Sequence, residues 1–184
     1  PKYARQMLVL VDGRTVYSPQ INATFWDQIP LFLENIQRIE VIRGPNAALY
    51  GANAFQGVIN IITKEPEETQ GGLASVTAGS RDSQWAMLRY GTEAERFSCR
   101  ATAGYRSTEG FSGVHDYVRK PQVTFRCNYH IDDSSRIIVD GGYAGGDREL
   151  GRQLDPEVTS YFMMAKYEKY FTLSTRMRLH YYHD

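Results

Sequence analysis

The sequence predicts a mainly β protein: a mixed α+β unit over residues 1–64, a linker over 65–70, and part of a large antiparallel transmembrane β-barrel over 71–184. Three observations predict it. From Gly71 onward the hydrophobic period becomes two, the signature of strands with one apolar and one polar face. Several of these strands approach the ~9–11 residues that a tilted transmembrane strand needs. Their connections alternate between short and long, as the two ends of a membrane barrel do.

The first unit is built from short pieces. Met7–Val11 is a short buried strand, ended by Asp12-Gly13, a strong turn signal. Thr15–Tyr17 resumes as strand, and Ser18–Thr24 is polar and loop-like. Phe25–Asn35 predicts a short helix, with Pro30 favoured in its first turn. Gln37–Ile42 and Val58–Thr63 are strands, and Asn46–Tyr50 holds at most a turn or two of helix. Glu65–Gln70 has Pro66, three acids and no apolar residue, and marks the boundary.

Beyond it, Phe97, Cys99, Ala101, Ala103 and Tyr105 alternate with Ser98, Arg100, Thr102, Gly104 and Arg106. Val123–Ile131 and Leu173–Tyr181 alternate as cleanly; Gly72–Gly79, Ser83–Thr92, Arg136–Gly145 and Val158–Lys169 less so. The polar faces carry Arg, Asn and His, which suits a wet lumen. Short turns at Glu93–Glu95, Asp132–Ser135 and Tyr170–Thr172 interleave with long loops at Ser107–Arg119 and Asp147–Glu157. Ser80–Asp82 is the exception, short where a surface loop belongs. Seven strands are too few to close around a folded domain, since plugged barrels use about 22. The expectation is therefore a fragment of a longer protein.

The charges balance, 21 basic against 21 acidic, so nothing points to nucleic acid. No apolar run nears the ~18 residues of a membrane helix. No G-x-S-x-G occurs, and Gly51 is followed by Ala52 where a phosphate loop needs Lys. His180 and His183 fall on opposite strand faces and cannot share an ion. The expectation is neither an enzyme nor a cofactor-binding protein. Cys99 and Cys127 lie on the apolar faces of neighbouring strands. A bridge is geometrically possible if their hairpin is symmetric about Gly113, but two free small apolar side chains are the favoured reading.

The segment Arg38–Lys64, RIEVIRGPNAALYGANAFQGVINIITK, read with Val9–Arg14, VLVDGR, resembles the second half of the plug domain of TonB-dependent outer-membrane receptors. The matching residues are Asp12, Gly13, Gly44, Pro45, Tyr50, Gly51, Gly57 and Asn60. The resemblance implies a plug inside a barrel of the bacterial outer membrane, in contact with lipid. It implies energy coupling to the TonB complex through an N-terminal segment outside this sequence, and uptake of a scarce nutrient. Ferric siderophores are the commonest substrate it implies, with cobalamin, other chelates and oligosaccharides behind. It places Arg38 and Arg43 against acidic groups of the barrel wall. The plug then joins the barrel at the periplasmic, short-turn end.

Ser18–Thr24 matches in position an outward-facing plug loop, so Tyr17, Ser18, Gln20, Asn22 and Phe25 are the candidate substrate contacts; Trp26 is structural. In the long loops, Phe111, His115, Tyr117, Arg148 and Arg152 are offset by Glu109, Asp116, Glu149, Asp155 and Glu157, which leaves hydrophilic surface. Two other classes stay open: a non-transporting surface receptor or adhesin, and a soluble β-rich binding protein.

Overall fold

In the computed structural model, strands of the first unit follow the apolar runs. They are β1 (Tyr3–Arg5), β2 (Met7–Val11), β3 (Arg14–Thr15), β4 (Ala23–Phe25), β5 (Ile36–Arg43) and β6 (Gly57–Thr63). The structure describes residues 3–5, 7–16, 23–44, 50, 54, 56–80, 82–109, 117–148, 159–172 and 175–183. Two compact units divide the chain, residues 1–64 and 65–184.

The main sheet of the first unit has the order β3-β2-β6-β5. β2 and β6 run parallel, and β5 returns antiparallel to β6. A continuous apolar strand must be covered on both faces, and β2 is. Val9 and Val11 pack with Ile29 and Ile61 on one side, Leu8 and Leu10 with Ala54 and Val58 on the other. Asp12 and Gly13 both take positive φ, 50° and 84°, and form the two-residue loop between β2 and β3. Asp and Gly at those positions are what such a hairpin turn favours.

Two expectations fail here. Phe25–Asn35 is not a helix; it holds two short 3-10 turns, Trp26–Gln28 and Leu33–Asn35. Pro30 keeps Ile29 extended (φ −71°, ψ 119°), and Ile29 and Phe32 are both drawn into the interior. Thr24 and Phe25 are strand rather than loop and helix, because β4 pairs with β1 (Ala4↔Thr24, Tyr3↔Phe25). The residues predicted as a turn of helix at 46–49 lie outside the described residues; Tyr50 is helical.

The second unit opens with a 3-10 helix, Pro66–Thr69, where a linker was expected. Then come β7 (Gly71–Ala78), β8 (Gln84–Ala94), β9 (Phe97–Thr108), β10 (Val118–Asp132), β11 (Ser135–Ala144), β12 (Asp147–Arg148), β13 (Ser160–Tyr170) and β14 (Arg176–His183). Their order is a meander, β14-β13-β11-β10-β9-β8-β7, each strand antiparallel to the next, with β12 extending the pairing of β10. Among the described residues the sheet ends at β7 and β14. The helix lies at the end carrying the short turns 95–96 and 133–134. β10 runs 15 residues and begins beside β12 at the opposite, long-loop end. Leu173, Ser174 and Val158 lie outside the described residues.

The cysteines are a further correction. Cys99 and Cys127 are direct cross-strand partners on β9 and β10 and are disulfide-bonded, not free. The register brings their Cα atoms to 4.1 Å, so both side chains leave the sheet on one face and meet.

Candidate functional site

The helix at the head of the second unit is built by its own sequence and held by the sheet. Pro66 sits in the first turn, where its missing N–H costs nothing. The Glu65 amide donates to the Glu68 carboxylate at 2.7 Å, and the Glu65 side chain accepts from the Glu68 backbone, a reciprocal cap. Gln70 Nε2 and Thr69 Oγ1 donate to the Pro66 carbonyl at 2.7 and 3.1 Å. The acids between these caps reach into the polar face of the sheet. Glu67 accepts from Ser98 Oγ at 2.5 Å and, through both oxygens, from Asn128 Nδ2 at 3.1 Å. Glu65 accepts from Asn128 Nδ2 at 3.1 Å and Arg136 Nη2 at 3.3 Å, with Arg126 Nη1 4.0 Å away. Gly91 on β8 makes room, since a Cβ there would overlap the Thr69 carbonyl oxygen. Burial pushes the Glu67 carboxyl up; donors from Ser98, its own backbone and Asn128 outweigh that and hold it below its ordinary value.

The polar face continues as charge pairs written by register. Arg126 and Asp140 are cross-strand partners and form a two-pronged pair, Nε to Oδ1 at 2.5 Å and Nη2 to Oδ2 at 2.9 Å. Glu168 stands opposite both Arg136 and Arg178 and accepts from them at 2.9 and 2.6 Å. This face is the covered one: Ser98, Arg100, Thr102, Arg126, Asn128, Asp140 and Glu168 are all buried. The apolar face is the open one, with Val76 80% exposed, Leu88 66% and Tyr181 70%. A soluble sandwich buries the apolar side of each strand. Exposed apolar area of this extent demands a partner of hydrocarbon or protein.

Aromatic residues border that open face in two rows. Phe97 and Tyr129 are paired across β9 and β10, and Tyr167 continues their row through Ile137 at the short-turn end. Tyr105 on β9 and the pair Tyr143–Tyr161 mark the other end.

In the first unit the motif residues are mostly structural. Asp12 accepts from the Thr63 amide at 3.0 Å and its hydroxyl at 2.9 Å, tying the β2–β3 turn to the end of β6. Gly44 ends β5 with φ 93°, a value that favours glycine. A Cβ on Gly57 would stand 2.6 Å from the Ile42 carbonyl oxygen across the β5–β6 pair. Asn60 donates to its cross-strand partner Glu40 at 3.0 Å. Arg38 donates to Glu40 at 2.9 Å and to Gln37 at 2.6 Å. Those bonds, Arg38's first, hold the Glu40 carboxyl below its ordinary value. Arg43 is exposed.

Phe25 is half-buried in β4. Of the other predicted site residues, Tyr17, Ser18, Gln20, Asn22, Pro45 and Gly51 lie outside the described residues. Among the described residues, no cluster of His, Cys, Asp or Glu is placed to hold a metal ion. Sequence reasoning missed Glu65, Glu67, Asn128, Arg126 and Arg136. The available signal was Glu65-Pro66-Glu67-Glu68, an acid, a proline and a further acid at capping-box spacing.

Residues 3–58 match the model of the TonB-dependent receptor plug domain. The chain belongs to the TonB-dependent receptor family. It is 32% identical over 161 residues to a vitamin B12 transporter, BtuB, of Photobacterium profundum, covering 79% of this chain and 25% of that protein. It is 30% identical over 161 residues to the rhizobactin receptor of Rhizobium meliloti, covering 76% and 21%. Its fold superposes on the siderophore receptor PirA of Acinetobacter baumannii with a TM-score of 0.72 at 20% identity, covering 96% of this chain and 31% of that one. The chain thus spans about a quarter of the length of the curated relatives it matches. TonB-dependent receptors of this kind are plug-plus-barrel proteins of the outer membrane. Outer-membrane barrels turn an apolar face to lipid and a polar face to the lumen; the sheet β7–β14 has one open apolar face and one polar face rich in buried residues.

Proposed function

We propose that this chain is the plug-bearing part of a receptor that draws a scarce metal chelate across the bacterial outer membrane, driven by the TonB complex. The observation that carries it is the inverted polarity of the second unit, apolar residues open and charged residues covered, in a chain with a plug domain. The aromatic rows support it. From Phe97 to Tyr105 is eight residues, about 27 Å along the strand. At a tilt of about 40° this is roughly 20 Å of height, close to the ~25 Å apolar band of such barrels.

A ferric siderophore is the first reading of the substrate. Cobalamin is the second, favoured by the likeness to vitamin B12 transporters. In this reading Tyr17, Ser18, Gln20, Asn22 and Phe25 contact the chelate, and Arg38 and Arg43 meet acids of the wall. Residues 1–64 act as plug, 65–70 as the junction and 71–184 as wall.

The test is uptake. The complete protein is expressed in cells lacking their own receptors and offered labelled ferric siderophores and labelled cobalamin. Saturable accumulation that disappears without TonB is expected for one of them. Surface binding without accumulation in TonB-positive cells refutes transport and favours a non-transporting receptor. Arg43→Ala is expected to leave ligand binding near normal while changing energised uptake or plug retention. Unchanged transport with unchanged entry of large antibiotics removes Arg43 from the mechanism.

A further inference from the structure

We propose that the Cys99–Cys127 bond is made by a disulfide-bearing oxidant in the periplasm while the chain is still in water, and that entry into the membrane then seals it. The proposal rests on the outer-membrane reading of the sheet. Both cysteines are on the lipid-facing side. The pair lies between Phe97↔Tyr129 toward the turn and Ala101↔Phe125 toward the centre of the sheet, with Thr92 and Val139 as lateral partners. It therefore sits one step inside an aromatic row, in the apolar band.

Thiol–disulfide exchange needs a thiolate and an approach path for its partner. Apolar surroundings keep a thiol protonated, and hydrocarbon admits no soluble oxidant. Neither condition is met once β9 and β10 face lipid. Both are met by a hairpin in water, because the two cysteines are 28 residues apart and directly opposed in register. One thiolate attacks the oxidant's disulfide and forms a mixed disulfide. The second then displaces the oxidant's sulfur, leaving the oxidant as a dithiol and the hairpin oxidised by two electrons. The bond also fixes register, since a one-residue slip would send the cysteines to opposite faces.

The complete receptor tests this. Cells are pulse-labelled, thiols are trapped with a maleimide at each time, and folding is followed by heat-modifiable migration and carbonate-resistant membrane association. The bond is expected in chains that are not yet heat-modifiable. In isolated outer membranes it is expected to survive a soluble reductant that cleaves it completely in SDS-unfolded protein. A membrane-retained, folded receptor that carries two free thiols and oxidises later overturns the order proposed, as does reduction of the bond in place. A receptor released by carbonate overturns the outer-membrane reading itself, and the proposal with it.

Discussion

Glu67→Ala isolates the attachment of the junction helix to the wall. The substitution removes the acceptor for Ser98 Oγ at 2.5 Å and for Asn128 Nδ2 at 3.1 Å. Asn128 keeps Glu65, but the Ser98 hydroxyl, 1% exposed, loses the carboxylate it donates to. A hydrogen bond to a charged group contributes about 1.5–3 kcal/mol, and a buried donor left unmade costs about 1–3 kcal/mol. Glu67 is only half-buried, so water partly replaces it, and the net loss is about 2 kcal/mol. That corresponds to roughly a thirtyfold increase in the local opening equilibrium. The assay is amide hydrogen exchange on the complete receptor in detergent, read on a peptide spanning 64–72. The Glu68 amide, bonded to the Glu65 carbonyl at 3.1 Å, is the reporter. A change below about threefold in that peptide, with the barrel intact, refutes the claim that these bonds hold the helix down.

Other outcomes follow from the same geometry. The Glu67 carboxyl is held below its ordinary value of 4.5 in the folded state. Its contribution is therefore complete above that pH and lost as pH falls through the lowered value; the opening equilibrium of the 64–72 peptide, its exchange divided by the intrinsic amide rate at each pH, should rise on acidification, and Glu67→Gln should flatten that pH response. Gly91→Val places a side chain into the Thr69 carbonyl, so it should raise exchange in the same peptide at least as much as Glu67→Ala; wild-type exchange counts against the seating described. Leu88→Arg puts a charge on the open apolar face; on the proposed reading that face meets lipid, and the cost near the midplane is about 2–4 kcal/mol. The yield of heat-modifiable receptor in outer membranes should fall, and a normal yield contradicts the assignment of that face.

The longer strands of both units were legible because their signals are local, whereas the short strands β1, β4 and β12 were not. Alternation from Phe97 to Tyr105 or Val123 to Ile131 needs no knowledge of neighbours, and Asp12-Gly13 carries its turn in two residues. The helix expected at 25–35 failed where tertiary packing outweighed local pattern: Ile29 and Phe32 are placed by the core, and Pro30 forbids the turn between them. The attachment of the junction was invisible for a different reason. Glu67 finds Ser98 at 31 residues' distance and Asn128 at 61, and a run of acids without apolar residues looks solvated until the face it meets is known. The disulfide lay between these cases, with its register inferable and its bonding not. The charge pairs Arg126–Asp140 and Glu168 with Arg136 and Arg178 required the register of four strands at once.

The junction helix also has a mechanical meaning. Tension arriving along the backbone at Lys64 meets the helix before it meets β7. A strand pulled from its end at a sheet edge opens like a zipper, one hydrogen-bonded pair after another. Here the load passes first through Glu65 and Glu67 into β9, β10 and β11. These attachments act in parallel across three strands and must fail together, by shear. The seam at β7 is shielded from a force that would otherwise peel it.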